Sequence, residues 1–109
     1  MRVKKKSVAV EFPSYPLRLK KTEVKRLLGR LKGWRVVQGH HLFKVFAFKD
    51  FKQASKFVDK MCVVAERLAH HPYILLFWGR VEVTIRTHSQ KGLTRNDFAL
   101  AEKIDKIKP

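Results

Sequence analysis

The chain has 109 residues, with 25 Lys and Arg against 9 Asp and Glu, so its formal net charge at pH 7 is +16. This length supports one hydrophobic core and excludes a two-domain enzyme. An apolar content of 45% with 11% aromatic residues excludes a disordered basic tail. The longest apolar run, residues 73–78, is far shorter than the roughly 20 residues of a membrane span. We therefore predict a folded and very basic single domain.

The single cysteine, Cys62, excludes an internal disulfide. It lies within an apolar helical pattern, so we expect a buried thiol and a reducing, cytoplasmic compartment. The basic start of the chain has no apolar segment of the kind found in secretory signals. Abundant Lys and Arg with few Asn and Gln form a balance that is typical of thermophiles.

The positive charge is concentrated at the front of the chain. Residues 1–35 hold twelve basic and two acidic residues, a net +10, whereas residues 36–109 hold thirteen and seven, a net +6. This distribution fits either a polyanionic partner such as nucleic acid or a solvated, Lys-rich surface. We interpret residues 1–20 as a basic N-terminal extension and residues 21–109 as the folded domain.

The first predicted elements are a helix and a hairpin. Apolar residues recur at steps of three and four from Thr22, the expected N-cap, to Gly33, the expected stop. Residues 34–38 and 42–48 are rich in β-branched and aromatic side chains, and they flank a turn predicted at Gly39-His40.

A long helix follows, with Asp50 as its predicted N-cap. Its apolar residues recur at helical spacing, but the apolar arc is wider than one face. Four residues widen it: Phe57, Cys62, Val63 and Val64. Such a helix needs a second partner, which is either the chain's own sheet or another subunit, and in so small a domain a subunit is the stronger candidate.

The last third of the chain predicts a second hairpin and a closing helix. Residues 73–78 and 81–87 flank a turn predicted at Gly79-Arg80, and a variant capping box, Thr94 with Asp97, begins the helix. The predicted fold is α+β, in the order α-β-β-α-β-β-α: a four-stranded antiparallel sheet with three helices packed on one face.

Three of the five histidines group around the second hairpin. His70 and His71 end the long helix just before Pro72, and His88 follows the last strand. Pairing about Gly79-Arg80 would place Pro72 opposite Thr87, which brings the three histidines to one end of the sheet. Two carboxylates are expected nearby: Glu66, four residues before His70, and Asp97.

Several kinds of chemistry fit this grouping. Imidazoles titrate near neutral pH, so converging histidines can exchange protons with a bound substrate. A zinc site made by His70, His71 and His88 is an alternative that lacks the usual ligand spacing. A purely structural alternative makes them helix-cap and turn residues, and it also covers His40 and His41 at the first hairpin's tip. Nucleophilic catalysis by Cys62 has little support.

The stretch Glu-Arg-Leu-Ala-His-His-Pro at 66–72, followed by Trp78, His88 and Asp97, resembles the signature of the pterin-4a-carbinolamine dehydratases. This family is also known as dimerisation cofactors of a homeodomain transcription factor. Residues 33–34, 46–51 and 87–97 also look like family positions, so the resemblance covers about residues 20–107.

The resemblance implies a metal-free dehydratase that needs no cofactor and acts on 4a-hydroxytetrahydropterin, giving quinonoid dihydropterin. His70 and His88 would be its acid and base, and His71 would orient the ring, so these three are the catalytic candidates. The implied substrate-binding residues are Ala69, His70, His71, Arg86, Thr87, His88 and Ser89. The implied supporting residues are Glu66 and Asp97, which would orient or cap, Pro72, and Trp78, which would be core or pocket wall.

The resemblance also implies dimers or tetramers that assemble through the long helix. Ala69 stands where many members carry an acidic residue. The alternative function is a non-catalytic binding module, either for dimerisation or for association with nucleic acid through the basic N-terminal region.

Overall fold

A computed structural model describes residues 17–108. The order of elements confirms the α+β prediction. They are α1 (Lys21–Leu28), β1 (Arg35–Val37), β2 (His41–Ala47), α2 (Phe51–Leu68), β3 (Tyr73–Phe77), β4 (Arg80–Ile85) and α3 (Arg95–Asp105), with a short 3-10 turn at His88–Gln90 before α3.

The four strands form one antiparallel sheet in the order β1-β2-β4-β3, so β1 and β3 are its edges. Strand β4 alternates as its sequence predicts: Val81, Val83 and Ile85 are fully buried, and the residues between them are not. The buried face packs against α2 and α3. The helices contribute Ala54, Phe57, Met61, Ala65, Leu68, Phe98, Leu100, Ala101 and Ile104 to the core.

Helix α1 differs from its prediction at both ends. Its N-cap is Lys20, without a side-chain cap hydrogen bond, and not Thr22; the helix ends at Leu28, with Gly29 as the C-cap, and not at Gly33. The chain leaves the helix through hydrogen bonds of the tighter three-residue type, such as Arg30 N to Leu27 O at 3.1 Å. Gly33, with φ +81°, instead ends the segment that leads into β1.

Both hairpin turns are centred earlier than predicted. In the first, Gln38 and Gly39 have positive φ, and His40 N donates to Val37 O, so Gln38-Gly39 forms the turn. In the second, Phe77 pairs with Arg80 across a turn at Trp78-Gly79. Tyr73 consequently pairs with Thr84, a register two residues away from the predicted one.

Helix α2 has the N-cap that the sequence predicts. The Asp50 side chain accepts a hydrogen bond from Gln53 N, 2.9 Å away. Ala69, the C-cap that follows the helix, is left-handed with φ 54°. This backbone conformation costs an alanine about 1–2 kcal/mol relative to glycine. One expectation for α2 was wrong: Cys62 is exposed. Phe57, one of the residues that widen the apolar arc, is a core residue 3% exposed and packs against Phe46 and Phe48 of the same chain.

Candidate functional site

His70 lies at the turn where α2 gives way to β3. Its backbone N–H donates to Ala65 O, which closes the helix after Ala69 has reversed the chain. The ring Nε2 then donates to Asp97 Oδ1 over 2.7 Å. The His70 side chain is 13% exposed and that of Asp97 is 0% exposed. The helix end therefore directs one imidazole onto a fully buried carboxylate.

The Asp97 carboxylate is held from the other side by two threonines. Its Oδ2 accepts from Thr94 N and from the Thr87 hydroxyl, each 2.8 Å away. The Thr94 and Thr87 hydroxyls are also 2.8 Å apart. Thr94 and Asp97 complete the capping box that begins α3, as predicted. The same carboxylate thus caps a helix and orients His70.

Glu66 contacts a different histidine from the one its spacing suggested. The four-residue step placed it beside His70, but Glu66 Oε2 instead accepts from His71 Nε2 at 2.9 Å. The reason is that the helix ends at Leu68, so His70 and His71 no longer follow helical positions. Both partners of this pair are well exposed, so it contributes at most about 1 kcal/mol to stability.

The loop after β4 brings His88 toward the same end of the sheet. Thr87 forms an isolated bridge with Gly92, and His88 begins the 3-10 turn that connects them. Extending the β3–β4 register by arithmetic sets His70 level with Thr87 and His71 level with Arg86. His88 and Ser89 are exposed, directly beside the threonine that touches Asp97.

Pro72 and Trp78 complete the sequence-predicted set. Pro72 is half-buried at the start of β3. Trp78 is 69% exposed in the β3–β4 turn, so the expectation that it could be a core residue was wrong. Five strand residues at about 3.4 Å each separate that turn from the histidine end. Trp78 is therefore not brought together with the histidines.

Metal binding has no ligand set among residues 17–108, where no three His, Cys, Asp or Glu side chains are arranged to hold a metal ion. The zinc alternative is thus unsupported for His70, His71 and His88. Within the same described range, no helix combines the length and apolarity needed to cross a bilayer.

His40 and His41 lie at the first hairpin, and because Leu42 pairs with Ile85, His41 is level with Arg86 at the same end of the sheet as this cluster. Their Nδ1 atoms are 3.3 Å apart, and His41 is the first residue of β2. Burial lowers the pKa of His41 below its usual 6.5, and the nearby His40 and Arg86 lower it further.

The depressed pKa of His41 predicts a pH dependence of stability. As the pH falls below about 6.5, the unfolded chain protonates this imidazole more readily than the folded chain does, so the free energy of unfolding decreases. We expect His41→Gln to reduce the loss of stability between about pH 7.5 and pH 5.5, measured as urea midpoints at both values. An equal loss in wild type and variant would contradict this prediction.

Comparison with known proteins extends over the whole described domain. Residues 17–107 match the sequence profile of the family described as pterin 4 alpha carbinolamine dehydratase. A Rubrobacter xylanophilus relative, provisionally named as such a dehydratase, is 45% identical over 89 residues, covering 82% of this chain and 83% of its own. A Sulfolobus acidocaldarius relative with the same provisional name is 40% identical over 91 residues, covering 84% and 99%.

The chain belongs to the pterin-4α-carbinolamine dehydratase family. A crystal structure of a transcriptional coactivator/pterin dehydratase from Brucella melitensis superposes on this family member with a TM-score of 0.77 at 38% identity, covering 81% of this chain and 95% of the other. A second solved structure, a pterin dehydratase-like protein identified as a RuBisCO assembly factor in the alpha-carboxysome, gives a TM-score of 0.58 at 27% identity, covering 67% and 86%.

The sequence identified Thr94 only as a helix cap and gave no indication of its place in this site. The Thr94 hydroxyl contacts Thr87, and its backbone N–H holds the carboxylate that orients His70. The three-residue spacing of Thr94 and Asp97 signals the capping box. The same spacing does not indicate that Asp97 contacts His70, which lies 27 residues earlier in the chain.

Proposed function

We propose that this protein catalyses the dehydration of a 4a-hydroxytetrahydropterin to a quinonoid dihydropterin by histidine acid–base catalysis. The observation that carries the proposal is the 2.7 Å contact between the His70 ring and the buried carboxylate of Asp97. Thr87, which donates to the same carboxylate, immediately precedes His88 in the chain. Membership of the pterin-4α-carbinolamine dehydratase family supplies the class of substrate.

The proposed chemistry is the loss of one water molecule. The C4a–O bond breaks as an acid protonates the departing hydroxyl, and a base removes the proton of the adjacent ring nitrogen, so that a carbon–nitrogen double bond forms. Imidazoles suit both tasks because their ordinary pKa lies near neutrality. We assign His70 and His88 as the acid and base on opposite faces of the pterin, with His71 orienting the ring.

The segments around these histidines would form the pterin pocket. Residues 69–71 and 86–89 lie at one end of the sheet, and they supply ring nitrogens, hydroxyls and the Arg86 guanidinium as polar contacts. Arg86 is half-buried, and its Nε has no hydrogen-bond partner among the described residues. A buried donor without a partner is costly in the unliganded protein, which favours a ligand acceptor at this position.

The direct test follows the decay of an enzymatically generated 4a-hydroxytetrahydropterin by absorbance, with and without the protein. We expect the wild type to accelerate the decay over the spontaneous reaction, and Lys52→Ala to match it because Lys52 is exposed at the start of α2, the end of the helix far from residues 69–71. Absence of acceleration by freshly purified, folded protein would refute the proposal.

A binding module is the second candidate function. The neighbour identified as a RuBisCO assembly factor favours it, because a pterin dehydratase-like fold serves there in assembly. In the decay assay, a folded wild type without activity would favour this candidate.

A role for the basic N-terminal region in nucleic-acid binding predicts weaker, less salt-dependent duplex binding after residues 1–20 are deleted.

We also propose that the protein self-associates through α2. Phe51 is 48% exposed, and Cys62, three helical turns later on the same stripe, is also exposed. Half-buried Val58 lies between them and continues the apolar stripe. An exposed apolar stripe on a long helix is typical of a helix–helix interface.

The charged substitution Cys62→Glu tests this interface. We expect it to shift the protein from an oligomer to a monomer in sedimentation velocity, because it places a carboxylate in the apolar seam. Lys56→Glu, at an exposed position elsewhere on α2, is the control and should leave the oligomer intact. A monomeric wild type, or an unchanged oligomer in Cys62→Glu, would contradict the proposal.

A further inference from the structure

The face of the sheet opposite the helices carries aromatic and basic side chains on either side of a central row of Val45, Glu82 and Leu75. Directly paired residues share a face, so the β1–β2–β4–β3 register sets Arg35, Phe43, Thr84 and Tyr73 in one row across the sheet. Phe77 is paired with Arg80 further along β3, on the same face. Among residues 17–108, α2 and α3 both pack on the buried face and leave this side uncovered.

Each ring on this face has an arginine beside it. The Arg35 guanidinium lies 5.2 Å from the centre of the Phe43 ring, and that of Arg80 lies 4.2 Å from Phe77. The Arg86 guanidinium lies 5.5 Å from the Tyr73 ring. Tyr73 is 56% exposed and Phe77 is 40% exposed. Three rings, each beside an arginine, therefore lie on two strands of one face: half-buried Phe43 on β2, and exposed Tyr73 and Phe77 on β3.

The charge of this face favours a polyanion. Its three arginines face one carboxylate, Glu82, whose Oε2 is 3.3 Å from Arg80 Nε, and the chain as a whole carries +16. Apolar contact alone would suit many partners, but arginine beside an exposed ring matches a ligand that combines flat bases with phosphates.

We propose that the open face of the sheet binds single-stranded nucleic acid, with Phe43, Tyr73 and Phe77 stacking on bases and with Arg35 and Arg80 contacting phosphates. A single strand is required because bases in a duplex are already stacked on one another and cannot reach the rings. In other folds, a four-stranded sheet with exposed aromatic rings binds single-stranded RNA by stacking two or three bases on those rings. This role is independent of the proposed dehydration, since Phe43, Phe77 and Arg35 lie outside the predicted pterin pocket.

The test measures fluorescence anisotropy of labelled oligonucleotides of about 12 nucleotides, matching the 4–16 that such surfaces accommodate, with the full-length protein. Single-stranded RNA, single-stranded DNA and the corresponding duplex are compared at about 50 and 200 mM salt. We expect both single strands to bind more tightly than the duplex. A preference for RNA over DNA, or the reverse, would identify the source of the strand.

Two sets of variants separate stacking from charge. Phe43→Leu and Phe77→Leu each keep an apolar side chain but remove the ring, and we expect about tenfold weaker binding from each. Arg35→Ala with Arg80→Ala should reduce the slope of log affinity against log salt by about 1.4, or 0.7 per lost phosphate contact.

Matched controls lie on α2, away from this face. Lys52→Ala, Lys56→Ala and the double variant remove one or two exposed charges. These controls should bind as the wild type does, and circular dichroism confirms folding of every variant. Equal losses in face and control variants, or tighter binding of the duplex, would overturn the proposal. A change of oligomeric state in the face variants without any change in nucleic-acid affinity would show that a second copy covers the face, and would also overturn it.

Discussion

Under the proposed acid–base assignment, we expect His70→Ala to lower the rate of 4a-hydroxytetrahydropterin dehydration by about 10²- to 10⁴-fold, the range found when a positioned acid or base is removed. We expect the loss to fall mainly on kcat, because the proposed role of the His70 imidazole is to transfer a proton during the reaction. His70→Ala also leaves the buried Asp97 without its ring partner, so stability is measured beside activity.

His88→Ala provides the separating comparison, since His88 is exposed and its replacement leaves the Asp97 network intact. We expect a loss of activity of the same order, about 10²-fold or more, with an unchanged urea midpoint. A protein that folds normally and retains wild-type rates in both His70→Ala and His88→Ala would refute the assignment of acid and base. Activity lost only in His70→Ala would leave His88 without a catalytic role.

We expect Asp97→Ala to lower the free energy of unfolding by about 3–5 kcal/mol, because it removes a buried acceptor of several hydrogen bonds together with a helix cap. The carboxylate is fully buried and accepts from the His70 ring, the Thr87 hydroxyl and the Thr94 backbone N–H. Its removal leaves these donors unsatisfied and takes away the cap of α3. Because single domains are stable by about 5–15 kcal/mol, this change removes a large share of the total.

Urea denaturation of matched variants tests the Asp97 prediction. Asp59→Ala removes an exposed carboxylate from α2 and should change stability by less than about 0.5 kcal/mol. Asp97→Asn keeps an acceptor oxygen and should lose less than Asp97→Ala, and it remains measurable if the alanine variant does not fold. If Asp97→Asn is as stable as wild type and keeps full kcat, the carboxylate of Asp97 and its contact with His70 contribute neither to stability nor to catalysis.

Local signals in the sequence determined the elements and several of their ends. The order of helices and strands follows from hydrophobic periodicity, and the caps at Asp50 and at Thr94 with Asp97 lie where polar side chains satisfy the first free N–H groups of a helix. The family signature at residues 66–72 was also readable, because it consists of residue types at fixed spacing. These features depend on neighbours within about one helical turn.

Contacts between distant residues were decided by the tertiary structure. The β3–β4 register depends on which two residues form the turn, and Trp78-Gly79 moved it by two positions from the prediction made for Gly79-Arg80. The partner of Glu66 changed because α2 ends at Ala69 in a left-handed conformation that local periodicity does not encode.

The sequence by itself determined that three histidines and two carboxylates stand near helix and strand ends. Only the packing of α3 against α2 and the sheet decided that Asp97 lies under His70 while Glu66 takes His71. It also left Cys62 and Trp78 exposed, where apolar residue type alone favoured burial. The physical reason is that a hydrophobic pattern specifies which side chains favour burial, whereas the residues that pack against them and bury them come from distant segments of the chain.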